Sequence, residues 1–174
     1  MHSSIYFPEE DSYLLSAVLK KEIKEKDISV LEIGSGSGIQ LETLKRIGIK
    51  NIAGSDINQE AVKHCKSLGF TCIHSNLFSN IKDSYDLIIF NPPYLPEEKL
   101  EPKESKISTT GGKNGSEIIN KFLIQAKKHL NKNGKIFLVT SSLTKGIKWG
   151  NWKKKIVGKK KLFFEELIVW ELKV

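Results

Sequence analysis

Tyr85-Asp86-Leu87-Ile88-Ile89-Phe90-Asn91-Pro92-Pro93-Tyr94 is the stretch on which the reading of this chain turns. An apolar run that stops at two prolines reads as a buried parallel strand ending at a rigid, exposed turn. Asn91 then stands at the carboxyl end of that strand, the edge where open α/β sheets bind ligands. An isolated Asn-Pro would be no more than the start of a Pro-rich loop. The four residues together carry a chemistry. The side-chain carbonyl of Asn91 and the backbone carbonyl of Pro92 can each accept a hydrogen bond, and two converging acceptors grip a planar NH2 group. Pro92 and Pro93 fix φ and hold those carbonyls in one geometry, while Tyr94 offers an aromatic face for a flat substrate.

Working outward, Ile28–Ile33 forms a second short strand that runs directly into Gly34-Ser35-Gly36-Ser37-Gly38, with a helix beginning near Ile39. Strand, glycine-rich turn and helix make the first half of a βαβ nucleotide-binding unit, in which Gly34, Gly36 and Gly38 let a ligand approach the backbone. The next strand, 51–55, delivers Asp56 at its tip, 18 residues beyond Gly38. An acid at that distance accepts hydrogen bonds from ribose hydroxyls. The G-x-G-x-G spacing differs from the dinucleotide pattern, and Glu32 lies just before the first glycine. A carboxylate there suits the ammonium of a methionine tail and would repel a pyrophosphate, which favours S-adenosylmethionine over NAD. Asn58 can cap a helix running to about Leu68. After a strand over 70–74, Asn76 reaches the same edge, either to contact an adenine edge or to cap its own turn.

Residues 10–25 predict an amphipathic helix entered through acidic residues. A polar loop, 95–112, is long enough to suggest a substrate-facing lid. Beyond it come a helix to about Leu130, a strand over 135–140, a short irregular segment holding Trp149 and Trp152, and two β-type runs near 154–161 and 164–173. The expected fold is a single α/β domain over 1–174: a seven-stranded, mostly parallel Rossmann-like sheet with an antiparallel C-terminal hairpin. The Trp149–Trp152 segment is too short to bury two indoles easily, which predicts an exposed apolar surface.

The 174 residues suffice for one sizeable core. With 39% hydrophobic and 28% charged residues the chain is globular in composition, and no apolar run is long enough to cross a bilayer. No secretory signal is evident at the amino end, so the expected compartment is the cytoplasm. Cys65 and Cys72 are the only cysteines and lack metal-ligand spacing, which reads as buried thiols with no metal site. His64 and His74 have no carboxylate or cysteine at metal spacing. The net charge of +8 rests on lysine, Arg46 being the sole arginine, so direct nucleic-acid binding is left open by charge alone.

These motifs have a family. Tyr6, Pro8, Glu10-Asp11-Ser12-Tyr13-Leu14-Leu15, Glu32 through Gly38, Asp56, Asn91-Pro92-Pro93-Tyr94, and Gly111-Gly112 with Gly115 make the chain resemble class I S-adenosylmethionine-dependent methyltransferases. Within these it is similar to the HemK-type release factor glutamine methyltransferases of the short archaeal and eukaryotic branch. The resemblance implies N5-methylation of a glutamine in the Gly-Gly-Gln loop of a class I peptide release factor. It places Ser12, Glu32, Gly34, Asp56, Asn76 and Asn91 around the cofactor. It also suggests a small zinc-binding activator subunit covering an apolar sheet edge. Two departures stand out: Asn76 occupies a position where the family usually has Asp, and the helix expected after strand five is cut short. Asn-Pro-Pro-Tyr is shared with adenine-N6 methyltransferases of DNA or RNA, which remain the alternative. Against them, 174 residues leave no room for a separate target-recognition module.

Overall fold

The computed structural model describes residues 5–96 and 110–174. Seven strands form one sheet in the order β3-β2-β1-β4-β5-β7-β6. They are β1 (Ser29–Ile33), β2 (Asn51–Asp56), β3 (Thr71–His74), β4 (Tyr85–Phe90), β5 (Leu130–Ser141), β6 (Lys153–Lys161) and β7 (Glu166–Lys173). The first five pair in parallel, and β7 alone runs against its neighbours β5 and β6. The expected architecture is therefore the observed one, C-terminal hairpin included.

Burial on both faces explains why β4 carries no polar alternation. Leu87 and Ile89 point to one side, with Val30, Phe137 and Val139, and pack against Leu15, Val18 and Leu19 of α1 (Glu10–Glu22) and Leu44 of α2 (Ile39–Arg46). Ile88 and Phe90 point to the other, with Leu31, Ile136 and Leu138, against Ile119, Phe122, Leu123 and Ala126 of α4 (Glu117–Ala126). Helix α3 (Gln59–Ser67) adds a satellite cluster of Leu41, Val62, Cys65 and Cys72. Both cysteines are buried thiols, as expected. Asn58 caps α3 by accepting from the Glu60 amide at 2.9 Å.

Three boundaries differ from the sequence expectation. Helix α1 stops at Glu22 because Ile23 turns extended, with its amide bonded back to Leu19. The helix predicted to reach Leu130 ends at Ala126 and tightens into a 3-10 turn over Lys127–His129. Strand β5 then begins at Leu130, earlier than 135, with Asn133 at φ 67 and a register shift against β4. The expectation that the segment after β5 leaves its indoles uncovered fails for Trp152 and holds in part for Trp149, which is half-buried. Trp152 is buried and donates Nε1–H to the Leu123 carbonyl at 3.3 Å, while the Trp149 and Trp170 rings pack 5.0 Å apart. The large apolar side chains left in water lie elsewhere, among them Phe7, Tyr13, Phe163 and Phe164. No helix among the described residues is long and apolar enough to cross a membrane.

Candidate active site

The strand order reverses between β1 and β4, and at this switch point the carboxyl ends of β1 to β4 enclose a cavity of about 390 Å3. Strand β1 supplies Glu32, in register with Gly54 on β2 and Ile89 on β4, hence in the middle of the sheet. It is 3% exposed, and its Oε2 has no hydrogen-bond partner among the described residues. Burial, and next the Asp56 carboxylate, push its carboxyl well above the ordinary glutamate range. A buried carboxylate with an unmatched oxygen is completed by a cation, which restores the ionised form.

Strand β2 ends at Asp56, whose Oδ2 accepts from the Gly36 amide and Oδ1 from the Asn58 amide, both at 2.8 Å. These bonds lock the glycine turn to the β2 end and leave each oxygen a further lone pair. Gly34, Ser35, Gly36 and Ser37 line the wall above Asp56. Gly38 does not line it. At φ 80 it starts α2, and a Cβ there would lie 3.2 Å from Leu68 and 3.4 Å from the Cys65 sulfur, so this glycine serves the seat of α3. Ser75, Asn76 and Leu77 follow β3 at the mouth, with Asn76 exposed.

Strand β4 ends at Asn91, which lines the cavity with Pro92 and Pro93. Asn91 Oδ1 is the second buried polar atom with no partner among the described residues, the other being Glu32 Oε2. Both border one cavity. It thus holds one acidic and one amide acceptor, each paying for burial without a bond in return.

Tyr94, expected to offer a stacking face, is placed differently. It does not line the cavity; it packs against both core clusters and donates its hydroxyl to Asp11 Oδ2 at 3.1 Å. Tyr6 donates to the same carboxylate at 3.2 Å, as do the Ser12 amide at 2.6 Å and the Ser12 hydroxyl at 3.2 Å. Burial and the Asp11 charge hold both phenols well above the usual tyrosine range, so both remain donors. Asp11 is 4% exposed and gathers the amino-terminal segment, α1 and the loop after β4. Gln40 adds a second tie: Nε2 donates to the Ser12 carbonyl at 2.8 Å, and Oε1 accepts from Ser16 at 2.9 Å. Ser12 thereby joins the cavity wall with Tyr6, Asp11 and Gln40.

The sequence reading did not assign Asp11, Tyr6 or Gln40 a place in the site. The acid in the first turn of α1 reads as a dipole partner, and no local pattern connects it to Tyr94. Gly111 and Gly115 have a visible cause. A Cβ on Gly111 would lie 2.5 Å from the Pro93 carbonyl, and one on Gly115 would lie 2.3 Å from that of Tyr94. The two glycines let the approach to α4 run directly beneath the loop that carries Asn91. Leu95 bridges to Thr110, so the two ends of the long polar loop meet; the lid expected of 95–112 falls mostly outside the described residues.

A family model described as "Methyltransferase small domain" matches residues 9–148. The chain is 36% identical over 189 residues to "Putative protein N5-glutamine methyltransferase" of Methanocaldococcus jannaschii, covering 99% of this chain and 94% of that protein. It is 31% identical over 153 residues to mouse "Methyltransferase HEMK2", with 78% of this chain and 71% of the other covered. Among solved structures, the E. cuniculi Mtq2-Trm112 complex superposes with a TM-score of 0.79 at 23% identity, over 98% of this chain and 99% of that one, which shows the shared fold. The cavity suits the cofactor that such enzymes use: an unmatched buried carboxylate for an ammonium, and an acid at the β2 tip beside a glycine turn for a ribose. S-adenosylmethionine is that cofactor. By its family model and its relatives, the chain belongs to the methyltransferase small domain family, in its HemK-type protein glutamine methyltransferase branch.

Proposed function

We propose that this chain, acting as one catalytic unit over 1–174, methylates the side-chain amide nitrogen of a glutamine, in the Gly-Gly-Gln loop of a class I peptide release factor. The observation that carries the reading is the unpaired, buried Asn91 Oδ1 in the same cavity as Glu32. An acceptor fixed there by two prolines is built to receive an N–H, and a glutamine amide presents two of them on a flat group. The names of the relatives support the choice. The M. jannaschii protein is named for glutamine N5, and the E. cuniculi complex is described as methylating the termination factor eRF1.

Glu32 would hold the ammonium of the cofactor, Asp56 its ribose hydroxyls, and Gly34 and Gly36 would allow its close approach. Ser12 and Asn76 would border it on the α1 and β3 sides. Gly38 contributes by fixing the turn. When bound, S-adenosylmethionine supplies an electrophilic methyl on a sulfonium. Asn91 Oδ1 would take one amide hydrogen and the Pro92 carbonyl the other. This aims the nitrogen and stabilises the positive charge that develops there as its lone pair leaves conjugation. The surplus proton can leave after transfer, so no general base is required. Tyr94 acts as a positioning residue: its bond to Asp11 holds the loop that presents Asn91 and Pro92.

A small activator subunit belongs to the same proposal. The E. cuniculi relative was solved with Trm112, and a zinc-binding subunit of that kind would dock on this chain in the cytoplasm. Co-expression with a release factor, followed by mass spectrometry of the Gly-Gly-Gln peptide, tests the function. A mass gain of one CH2 on the glutamine is expected. An unmodified peptide, with methyl transfer to adenine in DNA or RNA instead, would overturn it.

A further inference from the structure

The turn between β6 and β7 places two adjacent phenylalanines in water: Phe163 is 100% exposed and Phe164 93%. Hairpin turns ordinarily take Gly, Asn or Asp, and Leu162-Phe163-Phe164-Glu165 contains none of them. The turn is nevertheless tightly held. Leu162 N–H bonds the Glu165 carbonyl at 2.8 Å, the Glu165 carboxylate accepts from the Ser141 hydroxyl, and Ser142 N–H bonds the Glu166 carbonyl at 2.9 Å. Below it, Gly158 lets β6 close on α1, where a Cβ would stand 2.5 Å from Val18. Two large apolar side chains on a fixed mount have the character of binding anchors.

Their place in the fold gives the partner. Because β7 runs against β5, its first residues pair with Ser141, at the carboxyl edge of the parallel strands. The turn therefore stands on the same edge as the cavity. Lys160 reaches Glu10, the residue before Asp11, and the Glu165 charge is felt by both Tyr6 and Tyr94. Phe7 and Tyr13, also exposed, flank the same Asp11–Ser12 segment. Of the lysines of β6, Lys159, Lys160 and Lys161 stand beside the turn, Lys159 paired with Glu166 and Lys160 with Glu10, while Lys153, Lys154 and Lys155 lie toward the opposite end of the strand, where Lys153 is in register with Lys173.

We infer that Phe163 and Phe164 dock the methyl-accepting protein by entering an apolar depression on its surface, with the exposed Lys161 beside them facing an acidic residue at its rim. This rests on the glutamine reading: a loop offered to the cavity brings the rest of its protein against this edge. The anchors lie outside the catalytic machinery, so they act on the whole protein and not on the reacting amide.

The test compares wild type with Phe163→Ser/Phe164→Ser on two acceptors, a full-length release factor and a short peptide carrying its glutamine loop. For the full-length factor, KM is expected to rise at least about tenfold with kcat and cofactor affinity unchanged. Rates on the peptide are expected to stay at the wild-type level. Lys161→Glu, a single change at an exposed position, is expected to raise the same KM at low salt and not at high salt. An unchanged KM for the full-length factor, or an equal loss on the peptide, overturns the docking role while leaving glutamine methylation standing. Failure of wild type to methylate either acceptor overturns the glutamine reading and this inference with it. Loss in the double variant of self-association, of single-stranded RNA binding or of anionic vesicle binding, with release factor kinetics unchanged, also overturns the inference.

Discussion

The hydroxyl of Tyr94 donates to the buried carboxylate of Asp11 at 3.1 Å, across 83 residues of sequence. One end of that bond is two residues past Pro92, and the other is in the first turn of α1, next to Ser12. Helix α1 and the loop presenting Asn91 are thereby held as one body.

Tyr94→Phe tests this arrangement. It keeps the ring's packing and removes one hydrogen bond to a buried charge, worth about 1.5–3 kcal/mol before Tyr6 and Ser12 make up part of it. We expect a loss of about 1–2 kcal/mol in chemical denaturation, together with a fall in kcat of roughly tenfold. Cofactor affinity should be unchanged, because Glu32 and Asp56 do not touch Tyr94. Unaltered kcat would show that the loop keeps its aim without Asp11.

Glu32 trades stability for binding. Its carboxyl is raised in the folded protein above its ordinary value of 4.5, chiefly by burial. A group raised on folding contributes stability that is fully present below its unfolded pKa and is lost as pH rises through the folded one. The cofactor-free protein should therefore lose stability as pH climbs above about 4.5 through the raised pKa. Glu32→Gln should remove that decline and melt higher near neutral pH, while binding S-adenosylmethionine roughly 10- to 100-fold more weakly. Thermal melts across pH with parallel calorimetry decide it. A variant that is no more stable at neutral pH, or that binds cofactor normally, contradicts the assigned role.

Gly115→Ala and Gly69→Ala separate backbone strain from collision. Both glycines have similar φ, 80 and 86, but a Cβ at Gly115 meets the Tyr94 carbonyl at 2.3 Å, while one at Gly69 meets nothing within 4 Å. Each should pay about 1 kcal/mol for the left-handed conformation. Gly115→Ala should cost at least about 1–2 kcal/mol more and depress kcat, because the loop carrying Asn91 must shift to admit the methyl. Equal costs in urea denaturation would mean that the two loops are not packed together as described.

What was legible in the sequence was what is local. Strand β4 shows itself because burial on both faces removes every polar alternation, and two prolines fix where it ends. The glycine turn and Asp56 are separated by one helix, a spacing that the βαβ unit makes regular. The contacts that aim the site are not local. The bonds from Tyr94 to Asp11 and from Gln40 to Ser12 join segments that only the finished sheet brings together. Likewise the apolar exposure expected at Trp152 was misplaced: α4, distant in sequence, covers that ring, while Trp149 is half-buried against Trp170.

The central claim is that the Asn91 carbonyl receives the substrate amide as charge develops on its nitrogen, and single-turnover methyl transfer to a release factor by Asn91→Ala measures it most directly. Removing one preorganised partner should raise the barrier by about 2.7–4 kcal/mol, slowing transfer roughly 100- to 1000-fold. Cofactor affinity should change little, because Glu32 and Asp56 remain in place. Near-wild-type transfer by Asn91→Ala would reduce Asn91 to a strand-end turn residue and contradict the account.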